Sequence, residues 1–279
     1  MLGYDALAAA ARAGHETIAV DLPELDIVDE SAVSALFERE RPQATINCAA
    51  WTDVDGAEAK VESARAVNAL GARNLARAAA AIDTPLVHIS TDYVFDGSPP
   101  LDRSGSPRPY VESDPTGPRS VYGQTKLEGE QEVLAASPRH TVVRTAWLYG
   151  VRGGNFVATM LRLAGEREAV QVVDDQIGSP TWSGHLAPAL IGLLEREVAG
   201  LVHLTGAGHV SWNGFCREIF RQAEVDCEVK AISSEQIPRP APRPAWSALA
   251  SERDDVIPMP DWREGLAGYL AARAGMIRA

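Results

Sequence analysis

A chain of 279 residues with 46% hydrophobic content can bury a large core, as one large domain or a large and a small one. A formal charge of −12 argues against a polyanion-binding protein, and the longest basic stretch, "IPRPAPRP" at 237–244, is too short for a nucleic-acid face. Three cysteines (Cys48, Cys216, Cys227) match no zinc or redox spacing and no histidine pair sits at helical spacing, so no metal ligand set is read here. No apolar run reaches membrane-spanning length and no signal peptide opens the chain, so the expected place is the cytoplasm.

In chain order, a helix is expected at 4–14, a strand "ETIAVD" at 16–21, and a helix at 29–42 with Asp29 or Ser31 as N-cap and Pro42 as stop. The strand "ATINCAA" (44–50), a long helix (61–81) and a buried strand "PLVHIST" (85–91) follow. A Gly/Pro/Ser-rich surface loop covers 96–118, and then come a helix near 120–136 and a strand "HTVVRTAWLYG" (140–150). Alternating strands and helices imply a Rossmann-type α/β fold with a doubly wound parallel sheet. Beyond residue 150 the rhythm loosens: helices near 155–166, 182–198, 211–223 and 261–273, strands near 170–173 and at "LVHLTG", and a Pro-rich link. The expected division is a dinucleotide-binding part, 1–149, and a smaller substrate-binding part, 150–279, with some segments returning to the first.

Ligands of open α/β sheets bind at the carboxyl ends of the strands. Three strands here end in polar or Gly-containing runs: "CAAWTDVDGAE", "STDYVFDG" and "TAWLYG". The chain has only three lysines, and one of them, Lys126, stands four residues after Tyr122 in "SVYGQTKLEGE", on the same helix face. An ammonium beside a phenol stabilises the phenolate and makes it a better acid–base group. The same two residues could equally be a solvated helix face. Thr91, ending its strand, offers a hydroxyl to a substrate or simply caps a turn.

A Tyr with a Lys four residues later, after a strand-end hydroxyl, resembles the short-chain dehydrogenases/reductases in their extended, nucleotide-sugar branch. "NCAAWTDVDGAE", "STDYVFDG", "VYGQTKLEGE", "RTAWLYG", "GNFVATML", "DDQIGSPTW" and "RPAWSAL" together resemble the dTDP-4-dehydrorhamnose reductases over almost the whole chain. The resemblance implies reduction of the C4 ketone of dTDP-4-dehydro-L-rhamnose by NADPH or NADH. Tyr122 is then the proton donor, Lys126 lowers its pKa and holds the nicotinamide ribose, and Thr91 hydrogen-bonds the carbonyl oxygen. Asp92, Trp147 and Arg243 join Thr91 as substrate residues; from the residues alone, a turn-forming Asp, a core Trp and a solvated Arg are the competing readings. Gly3, Asp21, Asp26, Ile27, Ala49, Ala50 and Trp51 join Tyr122 and Lys126 around the cofactor. An acid at Asp21, ending a strand, would favour NADH by disfavouring a 2′-phosphate. The family also allows a homodimer, sometimes with carboxylate-bound magnesium whose ligands the sequence does not place.

"MLGYDALAAAARAG" begins inside the usual strand–Gly-x-x-Gly-x-x-Gly–helix opening, with Gly3 as its last glycine. The expectation is that the natural start lies upstream; a naturally shortened homologue with weak cofactor binding is the alternative. Two other functions stay open: reduction of a related 4-keto-deoxysugar, as in dihydrostreptose synthesis, and a non-catalytic role like that of methionine adenosyltransferase regulatory subunits. A dehydratase is disfavoured, because Asp92 and Tyr93 follow Thr91 where a second acid would be needed.

Overall fold

The computed structural model describes residues 1–278, with side chains described to residue 276. Helix α1 (Leu2–Arg12) buries Leu2, Ala6, Ala9 and Ala10 along one stripe. The segment 16–21 is not the expected strand. Ile18 and Val20 are 56% and 44% exposed, and no described strand runs beside it. Extended backbone becomes a strand only when a neighbour takes its donors and acceptors, so alternation alone did not decide the outcome.

Helix α2 (Glu30–Glu40) is capped by Asp29, whose carboxylate accepts from Ala32 N at 3.0 Å, and it ends in a left-handed Arg41 before Pro42. Strand β1 is Thr45–Asn47. The helix expected over 61–81 is subdivided. Short helices α3 (Val54–Ala59) and α4 (Val61–Arg65) lead into a π-helical turn, Ala66–Gly71, and then α5 (Ala72–Ala81). Strand β2 (Leu86–Thr91) and helix α6 (Val121–Ala136) follow. The strand expected at 140–150 divides into β3 (Thr141–Thr145) and β4 (Leu148–Tyr149), because Trp147 between them takes φ +45°. The remainder is α7 (Phe156–Ala164), β5 (Ala169–Val173), β6 (Ile177–Gly178), β7 (Thr181–Trp182), α8 (Ser183–Glu195), β8 (Gly200–His203), β9 (Val210–Ser211), α9 (Trp212–Gln222), β10 (Glu228–Ile232) and α10 (Trp262–Arg278).

The main sheet is parallel, in the order β1-β2-β3-β8. Its strands are apolar on both faces, as parallel strands covered by helices must be. Leu86 and Val142 point to a core shared with α2, α5 and α6, and Val87 and Val143 to one shared with α1 and α8. The expected doubly wound α/β layout is therefore present. Another core gathers Tyr149, Val157, Val170, Phe215, Ile219, Trp262 and Leu266 from β4, α7, β5, α9 and α10. The segment 246–249 returns to pack on Phe95 and Tyr110 beyond the end of β2.

Candidate active site

The carboxyl end of β2 and the first turns of α6 form the centre of the site. Ser120 caps α6 by accepting from Gly123 N at 3.1 Å. A side chain at Gly123 would collide with Tyr93 O, and one at Gly129 with Asn68 O. Both glycines let α6 lie directly on the turn after β2 and on the π turn, which brings Tyr122 and Lys126 to the level of Thr91. Asn68, in the π turn, donates to Thr125 Oγ1 (3.1 Å) and accepts from Trp51 N (2.8 Å). It joins α6 to the segment after β1.

Thr91 donates to Asp92 Oδ1 at 3.0 Å and accepts from Tyr93 N at 3.2 Å. Burial pushes the Tyr122 phenol up to about 12; the Thr91 hydroxyl lies close enough to oppose this, and Asp92 adds to it. Tyr93 packs edge-on against Tyr122, with ring centroids 5.5 Å apart. Lys126 is fully enclosed and its Nζ donates to Ile89 O at 2.6 Å, with His88 Nε2 at 3.3 Å. Burial lowers it to about 8, against the pull of Glu130 and Cys48. The helix spacing thus brings Tyr122 and Lys126 to one face, and the ammonium is turned to Ile89 O and His88 of β2. One turn beyond Lys126, Glu130 receives a bidentate pair from Arg144 (2.9 and 2.7 Å) and a hydrogen bond from Ser90 (2.6 Å).

Asp92 is buried and burial raises it to about 6, against the Ser247 and Thr91 hydroxyls; Oδ2 has no partner. The folded protein holds this proton more tightly than the unfolded chain does. The ionised carboxylate therefore costs stability above about pH 6, and the cost is relieved as pH falls towards 3.8. Asp92→Asn is expected to gain stability over the parent by up to about 3 kcal/mol at neutral pH, with the gain closing between about pH 6 and 4. Urea unfolding at several pH values checks this; a gain independent of pH in that window contradicts it.

Trp147 lies flat on Trp212, with ring centroids 3.5 Å apart and planes 4° from parallel, and Phe156 backs Trp212 at 4.5 Å. Arg243 is tied to Asp55 of α3 (2.9 Å) and to Ala241 O (3.1 Å), so its charge is already paired. It still lines a small pocket with Tyr93, Asp96, Arg119 and Ser120.

The cofactor residues divide. A Cβ built on Gly3 would lie 3.9 Å from Cys48 Cβ, and Cys48 responds to both the Met1 ammonium and Lys126, so the start of α1 adjoins the site. The first-turn amides of α1 have no side-chain cap. Ala49 N donates to Asn47 Oδ1 (3.0 Å), and Ala50 and Trp51 continue along the same edge. Ile27 is held where Asn74 donates to its carbonyl (3.1 Å), next to exposed Asp26, which accepts from Val28 N. Asp21 departs from expectation. It is exposed, caps Leu22 N at 2.8 Å and ends no strand, so the argument from it for NADH fails. Uncapped amides, the Lys126 ammonium and the unpartnered buried Thr145 Oγ1 at the end of β3 make a donor set that fits a dinucleotide. Among the described residues no group of three or more His, Cys, Asp or Glu could hold a metal ion, so the magnesium expectation finds no ligand set.

The RmlD substrate binding domain model matches residues 1–274. The chain belongs to the RmlD family. It is 47% identical to a dTDP-4-dehydrorhamnose reductase of Mycobacterium tuberculosis, over 98% of this chain and 90% of that protein. It is 41% identical to a dTDP-4-keto-6-deoxy-D-glucose reductase of Streptomyces niveus, over 95% of this chain and 87% of that one. The crystal structure of the Bacillus anthracis dTDP-4-dehydrorhamnose reductase in complex with NADP superposes with a TM-score of 0.92 at 36% identity, covering 97% and 95% of the two chains.

Sequence reasoning missed the polar groups behind the RmlD-family motif residues: Asn47, Asn68, His88, Ser90, Glu130 and Arg144. The signal was present, since Asn47, His88 and Arg144 each interrupt an otherwise apolar strand.

Proposed function

We propose that this chain reduces the C4 ketone of dTDP-4-dehydro-L-rhamnose to dTDP-L-rhamnose, using NADPH or NADH. The observation that carries the reading is the convergence of Thr91, Asp92 and Tyr122 at the end of β2, with Lys126 one turn behind, in a member of this family. When bound, the reduced nicotinamide supplies the hydride equivalent. Tyr122 gives its phenolic proton to the sugar oxygen as charge develops there, and Thr91 donates to the same oxygen. Asp92 takes sugar hydroxyls, Trp147 covers a sugar face with Trp212 holding its plane, and Arg243 faces the diphosphate side. Lys126, Gly3, Ala49, Ala50 and Trp51 bind and orient the cofactor. Residues 1–149 carry the cofactor side and 150–279 most of the substrate side, and a homodimer in the cytoplasm belongs to the same reading.

The Streptomyces niveus relative favours a second reading, a related 4-keto-deoxysugar as substrate. Assaying NADPH and NADH oxidation by the purified protein against several dTDP-4-keto sugars tests both. Turnover fastest with dTDP-4-dehydro-L-rhamnose supports the first reading and turnover of another sugar the second. No oxidation with any of them, alongside measurable nucleotide binding, points to a non-catalytic binding protein.

A further inference from the structure

The Pro-rich strap at 237–244 carries proline at every second position, from Pro238 to Pro244. Proline has no N–H and keeps the residue before it extended, so the strap is stiff and has few donors to tie itself down. One of them, Ala241 N, donates to Asp55 Oδ1 of α3 at 3.2 Å. The other oxygen, Oδ2, receives Arg243 at 2.9 Å and lies 3.5 Å from Arg239. Three residues of the strap therefore meet on one carboxylate. Against burial, the Ala241 amide and Arg243 hold that carboxyl below its ordinary range, so it is ionised at neutral pH.

Helix α3 is tied to α6 as well. Three residues after Asp55, on the same face, Glu58 accepts from Val121 N at 2.9 Å, the amide just before Tyr122. One short helix thus sets Arg243 and the first turn of α6 relative to each other. The pocket lined by Tyr93, Arg119, Ser120 and Arg243 lies between them, and the Tyr93 phenol is within reach of the Asp92, Arg243 and Asp55 charges.

We propose that Asp55 is a positioning residue: it holds Arg243 in the orientation that meets the diphosphate of the sugar nucleotide, at a distance from Tyr122 that α3 sets. This rests on the reductase reading, in which Arg243 faces the diphosphate. The guanidinium has five N–H donors and uses two, one on Asp55 and one on Ala241 O. Three remain for phosphate oxygens, so Arg243 can take up the ligand without leaving Asp55. A loose arginine would lose its rotamer freedom at the moment of binding; one already held loses little. Coulomb repulsion acts the other way, since the Asp55 carboxylate is an anion near a diphosphate. Arg239 and Arg243 both face that carboxylate and leave the cluster with a net positive charge, so positioning outweighs repulsion.

The sign of one substitution separates the two effects. Asp55→Asn keeps an oxygen for Ala241 N and removes the charge that holds Arg243. Calorimetry of dTDP binding to the purified protein is expected to show about three- to tenfold weaker binding, with NADPH affinity unchanged. In an Arg243→Met background the same substitution is expected to change dTDP affinity less than about twofold, because no guanidinium is left to hold. In turnover, KM for the 4-keto sugar nucleotide is expected to rise by the same factor while kcat stays within about twofold. Equal or tighter dTDP binding by Asp55→Asn would overturn the proposal, and so would an undiminished loss in the Arg243→Met background or a wild type that does not bind dTDP. The binding measurements involve no turnover, so a failed reductase assay leaves them standing. Should Asp55→Asn fail to fold, a crystal structure of the wild type with dTDP decides alone. Arg243 touching a phosphate oxygen while still paired with Asp55 supports the proposal, and a guanidinium that has left Asp55 overturns it.

Discussion

Tyr122→Phe lowers turnover of the 4-keto sugar nucleotide by about 10²- to 10⁴-fold, while NADPH binding changes little. The magnitude is that of a positioned general acid, and no other protonated side chain stands where Tyr122 does. Thr91 can donate a hydrogen bond, but as a neutral hydroxyl it is too weak an acid to release its proton. Asp92 is close, but burial raises it only to about 6, so at neutral pH it is mostly the carboxylate and holds no proton to give. The substitution removes one oxygen and keeps the ring that packs edge-on against Tyr93, so folding is expected to survive. Stopped-flow measurement of NADPH oxidation, with nucleotide binding measured separately, checks both halves. Turnover within a few-fold of the parent would remove Tyr122 as the acid.

Glu130→Gln destabilises the protein by about 3–5 kcal/mol, which for a chain of this size lowers Tm by about 10 °C. Glu130 and Arg144 are 3% and 4% exposed at their side chains and meet in a bidentate pair. Neutralising one partner leaves the other charge buried with poor compensation, and that penalty outweighs the net worth of the pair. The Arg144 guanidinium has other neighbours, the Phe95 ring at 5.0 Å and His203 Nε2 at 3.5 Å, but neither carries a negative charge to replace the carboxylate. Combining Glu130→Gln with Arg144→Met removes the stranded charge and should restore more than half of the loss. Urea unfolding of the two variants decides it; a double variant no more stable than Glu130→Gln contradicts the electrostatic explanation. Glu130 also grips Ser90, the residue before Thr91, so the single variant is expected to lose turnover as α6 shifts against β2.

Local features of the site were legible from the sequence, and pairing was not. Thr91 at a strand end and Tyr122 with Lys126 one turn apart follow from periodicity alone, and Asp29 caps α2 as its residue type suggests. What failed depended on partners distant in the chain. The alternation in "ETIAVD" is that of a strand, yet no ladder forms there. The pairing of β5 with β10 joins segments far apart in sequence, and β10 was not expected at all. The break at Trp147 reflects its stacking on Trp212, a contact that neither segment signals alone. The direction of Lys126 was not legible for the same reason. Helical spacing places it beside Tyr122, but Ile89 O and His88, on a strand packed beneath, decide where the nitrogen points.

The most direct measurement is a crystal structure of the protein with NADP⁺ and dTDP-L-rhamnose bound. The account predicts the sugar O4 within hydrogen-bond reach, about 2.6–3.2 Å, of both Tyr122 Oη and Thr91 Oγ1. A sugar whose O4 touches neither hydroxyl, with Tyr122 directed away from it, would contradict the account.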